Sequence, residues 1–319
     1  MTRRRSSYRS LASLQRDNRV CRACVEAGYP LESVPNFSEG RDRSTIEALG
    51  EALGRRARLL DVHSDPDHNR SVFTLVGSAE ELIESLLAGI ECARERIDLR
   101  RHEGAHPRIG AADVVPVVPL VPEEMERARE AALALAERVG GELGMPVFLY
   151  GELAPGRGPV FFRRGGLEEL TRRLESGEVA PEFGPARLDE RAGGVLVGAR
   201  RPLIAFNVNL RGSLEVAQEV ARSVRERDGG FPGVRALGLE LPSAGLVQVS
   251  MNVEDYEAVA LHEIVDRIGR EAAAHGAEVA GSELVGLMPA GAAVAAAGAM
   301  LAIRGFDASR VLELRLLEE

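Results

Sequence analysis

The sequence has no tryptophan, and aromatic residues make up only 4% of its 319 positions. Its core must therefore be aliphatic. Cysteine is almost as scarce, with Cys21, Cys24 and Cys92 alone, which excludes a disulfide framework and fits a reducing compartment. Cys21 and Cys24 form one C-x-x-C pair, and no second pair follows to close a zinc site. No apolar run approaches the roughly 20 residues that cross a bilayer. The basic start MTRRRSSYRS has no apolar segment behind it to serve as a secretory signal. Positive charge is in deficit as well: the formal net charge of -9 argues against a generic nucleic-acid surface. A cytoplasmic protein is expected, with no nucleic acid and no membrane among its partners.

The length exceeds the size at which one core usually stops growing, so two domains or a duplicated unit are expected. ESVPNFSEG reads as a short strand and a Gly-ended loop, and RSTIEALGEALG has helical spacing through Ile46, Leu49 and Leu53. RARLLDVHSD and RSVFTLVG read as strands joined by the turn-rich SDPDHN. Ser78 and Glu81 make a capping box for the helix AEELIESLLAGIECARERI, whose acidic start and basic end suit the helix dipole. The strand DVVPVVPLV, the helix EEMERAREAALALAERV closed by Gly140 and Gly141, and the strand MPVFLYG follow.

The second half repeats the order. The strand RPLIAFNVNL and helix LEVAQEVARSVRER lead to the strands VRALGLELP and GLVQVSMNV. The helix YEAVALHEIVDRIGREAAAHG and the strand AEVAGSELVGL complete it. Strand, helix, strand, strand, helix, strand is the ferredoxin-like arrangement. The expected fold is α+β: two ferredoxin-like βαββαβ subdomains with their sheets facing a central ligand groove. An N-terminal extension over 1–32, subdomains over 33–200 and 201–306, and a tail over 307–319 are expected. Between the halves, the helix and Gly/Pro-rich stretch from Gly165 to Ala199 is too long for a plain connector and suits a ligand loop.

Four of the 6 histidines fall between positions 63 and 106. His102 and His106 are four apart, yet Gly104 between them and Pro107 after them argue against a helix. A metal centre would draw on His63, Asp65, Asp67 or His68, in an order that matches no zinc or calcium spacing. No metal is expected. General acid–base chemistry fits imidazole better, because its unperturbed pKa of about 6.5 lies near working pH. His106 precedes Pro107, which fixes the local chain, and Arg108, a donor suited to carboxylate or phosphate. A solvated charge run is the alternative for these arginines. Asn36, Ser38, Glu39, Asn69 and Arg70 are further polar residues in an aliphatic chain, and Asn207, Asn209 and Asn252 fall within expected strands, which asparagine disfavours. Strand alternation alone would turn the last three to solvent.

Taken in order from about Val34 to about Ala290, VPNFSEGRD, LLDVHSDPDHNRSVFTLVG, RRHEGAHPRIGAADVVP, PVFLYGE, PEFGPA, GARRPLIAFNVNL, QVSMN and GSELVGLMP resemble the formiminotransferase family. These are the glutamate formimidoyltransferases, which also form the N-terminal part of formiminotransferase-cyclodeaminase. The resemblance implies transfer of a formimino group from N-formimino-L-glutamate (formiminoglutamate) to N5 of tetrahydrofolate, the co-substrate, in histidine degradation by a homodimer. It implies His106, the histidine before proline in H-x-G-x-H-P-R, as the general acid/base, with His102 shaping the loop.

The family's folate-contacting loop matches Gly184, Pro185, Ala186, Arg187, Leu188, Asp189, Glu190, Arg191, Ala192 and Gly193. This chain carries ARLDERA where animal members have small and aromatic residues, and His63 where they have an acidic one. Arg70 and Arg108 are expected to clamp substrate carboxylates, and Glu39 or Asp113 to face the cationic amidine. Asn36, His63, Asn69 and His102 complete the expected substrate site. No cyclodeaminase segment is seen before Glu319, so ammonia release from the product is expected of a separate cyclodeaminase. Related formyl transfer to or from tetrahydrofolate, or folate binding without catalysis, are the alternatives.

Overall fold

The computed structural model describes residues 29–316. Cys21, Cys24 and most of the expected N-terminal extension lie outside the described residues. The chain forms two compact units, one built chiefly on Pro30–Pro202 and the other on Leu203–Glu240 and the residues from Leu246 onward. Mixed α and β structure with a separate sheet in each unit agrees with the α+β expectation.

The first unit holds strands β1 (Leu31–Ser33), β2 (Asn36–Phe37), β3 (Arg58–Asp65), β4 (Arg70–Gly77), β5 (Ala112–Pro119), β6 (Val147–Gly151) and β7 (Val195–Ala199). Its helices are α1 (Arg43–Leu53), α2 (Ala79–Arg96), α3 (Met125–Glu142), α4 (Pro159–Arg163) and α5 (Gly166–Glu175). β1 and β2 are pieces of one interrupted strand, broken where Pro35 has no amide hydrogen to give. Both pieces pair antiparallel with β4 on one side and β5 on the other. β3 adds to β4 antiparallel, while β5, β7 and β6 run parallel. Across the sheet the order is thus β3, β4, β1/β2, β5, β7, β6.

One face of this sheet carries the main core. Leu31, Phe37, Phe73, Leu75, Val115, Val117, Val147 and Val195 pack against Leu49 and Leu53 of α1, Leu86 and Ile90 of α2, and Leu135 and Val139 of α3. Each full burial of this kind contributes about 1.5–3 kcal/mol. α1 starts at Asp42, whose side chain accepts the Ser44 N–H, and α2 starts at the expected Ser78–Glu81 capping box. On the opposite face a smaller cluster joins Val114, Phe148 and Leu196 to Phe162 and Leu170 of α4 and α5. Its strand residues come from β5, β6 and β7 alone.

The second unit runs β8 (Ile204–Arg211), α6 (Leu214–Val224), β9 (Val234–Leu241), β10 (Leu246–Val253), α7 (Leu261–Ala274) and β11 (Glu278–Val285), then α8 (Ala290–Met300) and α9 (Leu312–Leu316). Its sheet order is β11, β8, β10, β9. Ile204, Val208, Val249 and Met251 face Val220 and Val224 of α6 and Ile264 and Ile268 of α7. The expectation that alternation turns the strand asparagines to solvent holds for Asn252 only. Asn207 is buried and donates to Glu283 at 3.2 Å, and Asn209 accepts from Gln248 at 2.9 Å.

Local expectations fail in three places, and one helix was not expected at all. The first strand begins at Leu31, inside the expected extension, because Leu31 is a fully buried core residue. α3 runs through Gly140 and Gly141 to Glu142 rather than stopping before them. A Cβ on Gly140 would lie 2.6 Å from the Phe183 Cβ, so that glycine serves a close approach, not a cap. The stretch before Ala199 contains β7, whose five residues are all buried. The Ala-rich helix α8 carried no periodic signal. Among the described residues no helix is long and apolar enough to cross a membrane.

Candidate active site

The pairing of β2 with β5 carries the feature that builds the site. Asn36 stands opposite Val114 and Phe37 opposite Ala112, so Asp113 is an extra residue in a β-bulge, a device that re-aims a side chain. Asp113 is fully buried. Its Oδ1 accepts the Ile109 N–H at 2.7 Å, and its Oδ2 accepts Arg70 Nη1 at 2.6 Å together with Nη2 of Arg163, the last residue of α4. Burial opposes ionisation of this carboxyl, but the Arg163 and Arg70 guanidiniums and the Ile109 amide outweigh it and hold its pKa well below the usual carboxylate range.

Two connecting segments are knitted together beside this trio. Ala105 N–H donates to Asp67 O at 3.0 Å, and Asn69 Nδ2 donates to Glu103 O at 2.9 Å. Asn69 takes the left-handed conformation at φ 46, which asparagine tolerates, and its Oδ1 accepts the Gly40 N–H at 2.9 Å. Gly104 is required between the two histidines, since a Cβ there would lie 2.4 Å from His68 O. Arg108 Nη2 donates to His106 O at 2.6 Å and to His68 O at 3.2 Å. His102 Nε2 lies 3.0 Å from Asn69 O, an acceptor only, so it carries the ring hydrogen and leaves Nδ1 to accept from Arg108. Burial and the Arg108 charge lower the His102 pKa, which keeps that ring neutral. Burial and Arg70 push Arg108 down to about 10.

His106 is half-buried. Its Nδ1 lies 2.8 Å from Pro107 O, so the same argument places the hydrogen on Nδ1 and a lone pair on Nε2. Enclosure by the protein and the charges of Arg70 and Arg163 hold its pKa well below the ordinary value. The ring is a neutral imidazole with a basic nitrogen at neutral pH. The His68 ring stands 5.9 Å from it, centroid to centroid, and His68 Nε2 is buried with no hydrogen-bond partner.

The glycine-bearing segment 184–193 reaches the same neighbourhood through its end. Ala111 N–H donates to Ala192 O at 2.8 Å, and Gly194 N–H donates to Ile109 O at 2.9 Å. Gly193 has φ 70, and a Cβ there would lie 2.1 Å from Ile109 O. Asp189 and Gly193 exchange backbone hydrogen bonds of 3.0 and 2.8 Å, which closes the turn, and Asp189 Oδ1 caps the Arg191 and Ala192 amides. Gly184, Pro185, Ala186, Arg187, Glu190 and Arg191 are exposed, while Leu188 is half-buried. Pro185, Arg187, Leu188, Asp189, Glu190 and Arg191 line a cavity of about 400 Å³ with Arg94, Gly144 and Pro146.

Residues 30–200 match the model of the formiminotransferase domain, N-terminal subdomain, and residues 205–304 match that of the formiminotransferase domain. The chain belongs to the formiminotransferase family. It is 40% identical to the glutamate formimidoyltransferase of Thermoplasma acidophilum over 90% of this chain and 97% of that protein. It is 38% identical to the glutamate formimidoyltransferase of Streptococcus pyogenes over 90% of this chain and 98% of that protein. A match of 41% identity to the formimidoyltransferase-cyclodeaminase of Sus scrofa covers 81% of this chain and 50% of that protein.

In this formiminotransferase, His102, His106, Arg108, Asn69, Arg70, Asn36 and Asp113 lie together, and several of them are engaged with one another or with the loop backbone. Asp113 cannot face a cationic amidine, because its carboxylate is buried and its oxygens are held by Ile109, Arg70 and Arg163. Arg70 gives Nη1 to Asp113 and Nε to Asn36 Oδ1 at 3.0 Å, and Asn36 Nδ2 donates to Val34 O at 2.8 Å. Arg108 likewise directs its donors to loop carbonyls and His102, so a two-pronged clamp on a substrate carboxylate is not how either is arranged. Glu39 caps the entry to α1, its Oε1 accepting the Arg41 and Asp42 amides at 2.8 Å each. His63 is half-buried opposite Val72 on the edge strand β3, on the sheet face that Arg70 shares. Among the described residues, no three His, Cys, Asp or Glu side chains form a group that could hold a metal. Sequence reasoning missed Arg163, which no local pattern marks, and treated His68 only as a metal ligand.

Proposed function

We propose that this formiminotransferase is a glutamate formimidoyltransferase, moving the formimino group of N-formimino-L-glutamate to N5 of tetrahydrofolate. The reading rests on His106, a neutral imidazole with its hydrogen fixed on Nδ1 and its Nε2 lone pair left to take a proton. The relatives that bear this name, matched over nearly their whole length, support it.

N5 of tetrahydrofolate attacks the amidine carbon, forming a carbon–nitrogen bond as the N5 proton passes to His106 Nε2. The tetrahedral intermediate then collapses. The bond to the glutamate nitrogen breaks, and His106 returns its proton to that leaving amine. Such proton transfer contributes about 10²–10⁴-fold, and alignment of the two substrates adds a further large factor. Residues 184–193 contact the folate, and His63 and Glu39 border the donor. Asn36, Asn69, His102, Arg70 and Arg108 act by holding the loop and its charge.

Each half is read as a ferredoxin-like subdomain. In both units the strands of the βαββαβ repeat lie in the same order, fourth, first, third, second. The enzyme is further read as a cytoplasmic homodimer without a metal. A working link to a cyclodeaminase is supported by relatives that join both names in one protein. Mixing the protein with tetrahydrofolate and either formiminoglutamate or formylglutamate tests the reaction. 5-Formiminotetrahydrofolate from the first donor alone is expected, and a 5-formyl product from the second overturns it.

A further inference from the structure

Three guanidiniums, Arg70, Arg108 and Arg163, are gathered around one buried carboxylate, Asp113. Only Arg70 and Arg163 bond to it. Charges withdrawn from water are costly unless they are matched, and the cluster is one-sidedly positive. Arg70 gives its Nε to Asn36, and Arg108 is engaged with the loop. Arg163 differs. Its Nη2 is on Asp113, its side chain is only 12% exposed, and its Nε is buried without a hydrogen-bond partner. A buried donor left unmatched on a cationic group is a place built for an acceptor that arrives with a ligand.

Resting on the reaction assigned above, we propose that Arg163 is a donor-specificity residue whose incompletely matched guanidinium receives the α-carboxylate of formiminoglutamate. The α-carboxylate fits for a reason of connectivity. It sits on the carbon that bears the transferring nitrogen, so a subsite beside His106 meets it whenever the amidine is in place. The γ-carboxylate is two carbons further away. The glutamate carboxylates of tetrahydrofolate lie beyond its aminobenzoyl group, at the far end from N5.

The subsite also couples binding to chemistry. The charged groups that act on His106 are Arg70 from β4, Arg163 from α4 and Asp113 from β5, with the His68 ring 5.9 Å away and Arg108 bonded to the His106 carbonyl. A carboxylate placed on Arg163 offsets one of the cations that disfavour the imidazolium. Bound donor therefore makes His106 a stronger base than it is in the free enzyme.

Steady-state kinetics of the full chain test this, with wild type, Arg163→Gln and Arg163→Lys each assayed against formiminoglutamate and tetrahydrofolate. In Arg163→Gln the KM for the donor is expected to rise about 10- to 10²-fold, the range for one charge-assisted hydrogen bond, with the KM for tetrahydrofolate unchanged. Arg163→Lys is expected to recover part of the loss. The wild type is expected to show the same penalty toward N-formimino-4-aminobutyrate, which lacks the α-carboxylate, and Arg163→Gln is expected to show no further penalty. The acid limb of kcat is expected at higher pH than that of kcat/KM in the wild type, with the gap narrowed in Arg163→Gln.

An unchanged donor KM in Arg163→Gln overturns the subsite, as does an effect that falls on tetrahydrofolate. If the variants do not fold, the wild-type analogues decide: full activity with N-formimino-4-aminobutyrate and a defect with N-formimino-2-aminobutyrate, which lacks only the γ-carboxylate, overturns it. Wild-type protein that turns over no formiminoglutamate refutes the reaction itself and the subsite with it. An active wild type with an indifferent Arg163→Gln removes the subsite alone.

Discussion

Arg70 donates to Asp113 across 2.6 Å from the strand on the other side of β2, and the contact exists because one extra residue bulges out of β5. The pair anchors a cationic group next to His106 while keeping that group from facing unmatched into the protein. Breaking it from the acidic side leaves both Arg70 and Arg163 without their counter-charge.

Asp113→Asn is accordingly expected to destabilise the first unit by about 3–5 kcal/mol, the cost of a broken buried ion pair. Denaturant unfolding of the variant beside wild type measures it. Because Asp113 favours the imidazolium of His106, the same variant moves the acid limb of any residual activity to lower pH.

Removing the imidazole separates chemistry from binding. His106→Gln should lower kcat by about 10²–10⁴-fold while tetrahydrofolate binding, followed by fluorescence or calorimetry, stays as in wild type. In wild type the depressed pKa keeps the base unprotonated, so kcat/KM should hold its plateau below the ordinary imidazole value of about 6.5. A normally active His106→Gln enzyme ends the assignment.

The same shift makes stability depend on pH in a definite direction. In the native state His106 remains neutral well below the pKa at which the unfolded chain takes up its proton, about 6.5. As pH falls through that value the unfolded state binds more protons than the folded one, so stability is lost on acidification, by up to about 1.4 kcal/mol per pH unit for one such group. The difference in melting temperature between wild type and His106→Gln, measured between about pH 7 and 5, should shift against the wild type as the solution is acidified.

A fourth expectation concerns Gly193. Alanine there must adopt the left-handed backbone and push against Ile109 O, at a cost of about 1–3 kcal/mol. Gly193→Ala should lower the melting temperature and raise the KM for tetrahydrofolate. An unchanged KM would detach the 184–193 segment from folate binding.

Much of this architecture could be read from residue order, for identifiable reasons. β3 is half-covered, so RLLDVHSD alternates along its length, and the capping box announces the start of α2 through two side chains three apart. β7 went unseen because a parallel strand buried on both faces is a short apolar run without alternation. α8 is nearly all small residues and offers no polar face to give a period. At the site, H-x-G-x-H-P-R drew attention to His106 and Gly104, but a bulge has no sequence mark, so Asp113 looked like a substrate ligand. Arg163 comes from a five-residue helix far along the chain, and only folding reveals that it shares Asp113 with Arg70.

The position of β1 and β2 sets how the first unit must be made. This interrupted strand is the first of the sheet to be synthesised, yet it lies between β4 and β5. While the nascent chain lengthens, β4 can cover one edge once Gly77 has been made, but the amides and carbonyls of the other edge are satisfied only by water until the ribosome has delivered the segment ending at Pro119. Long-range closure of this kind slows folding and prolongs exposure of a sticky edge. An arrest of translation between β2 and β5 is thus the moment at which this protein is most open to self-association.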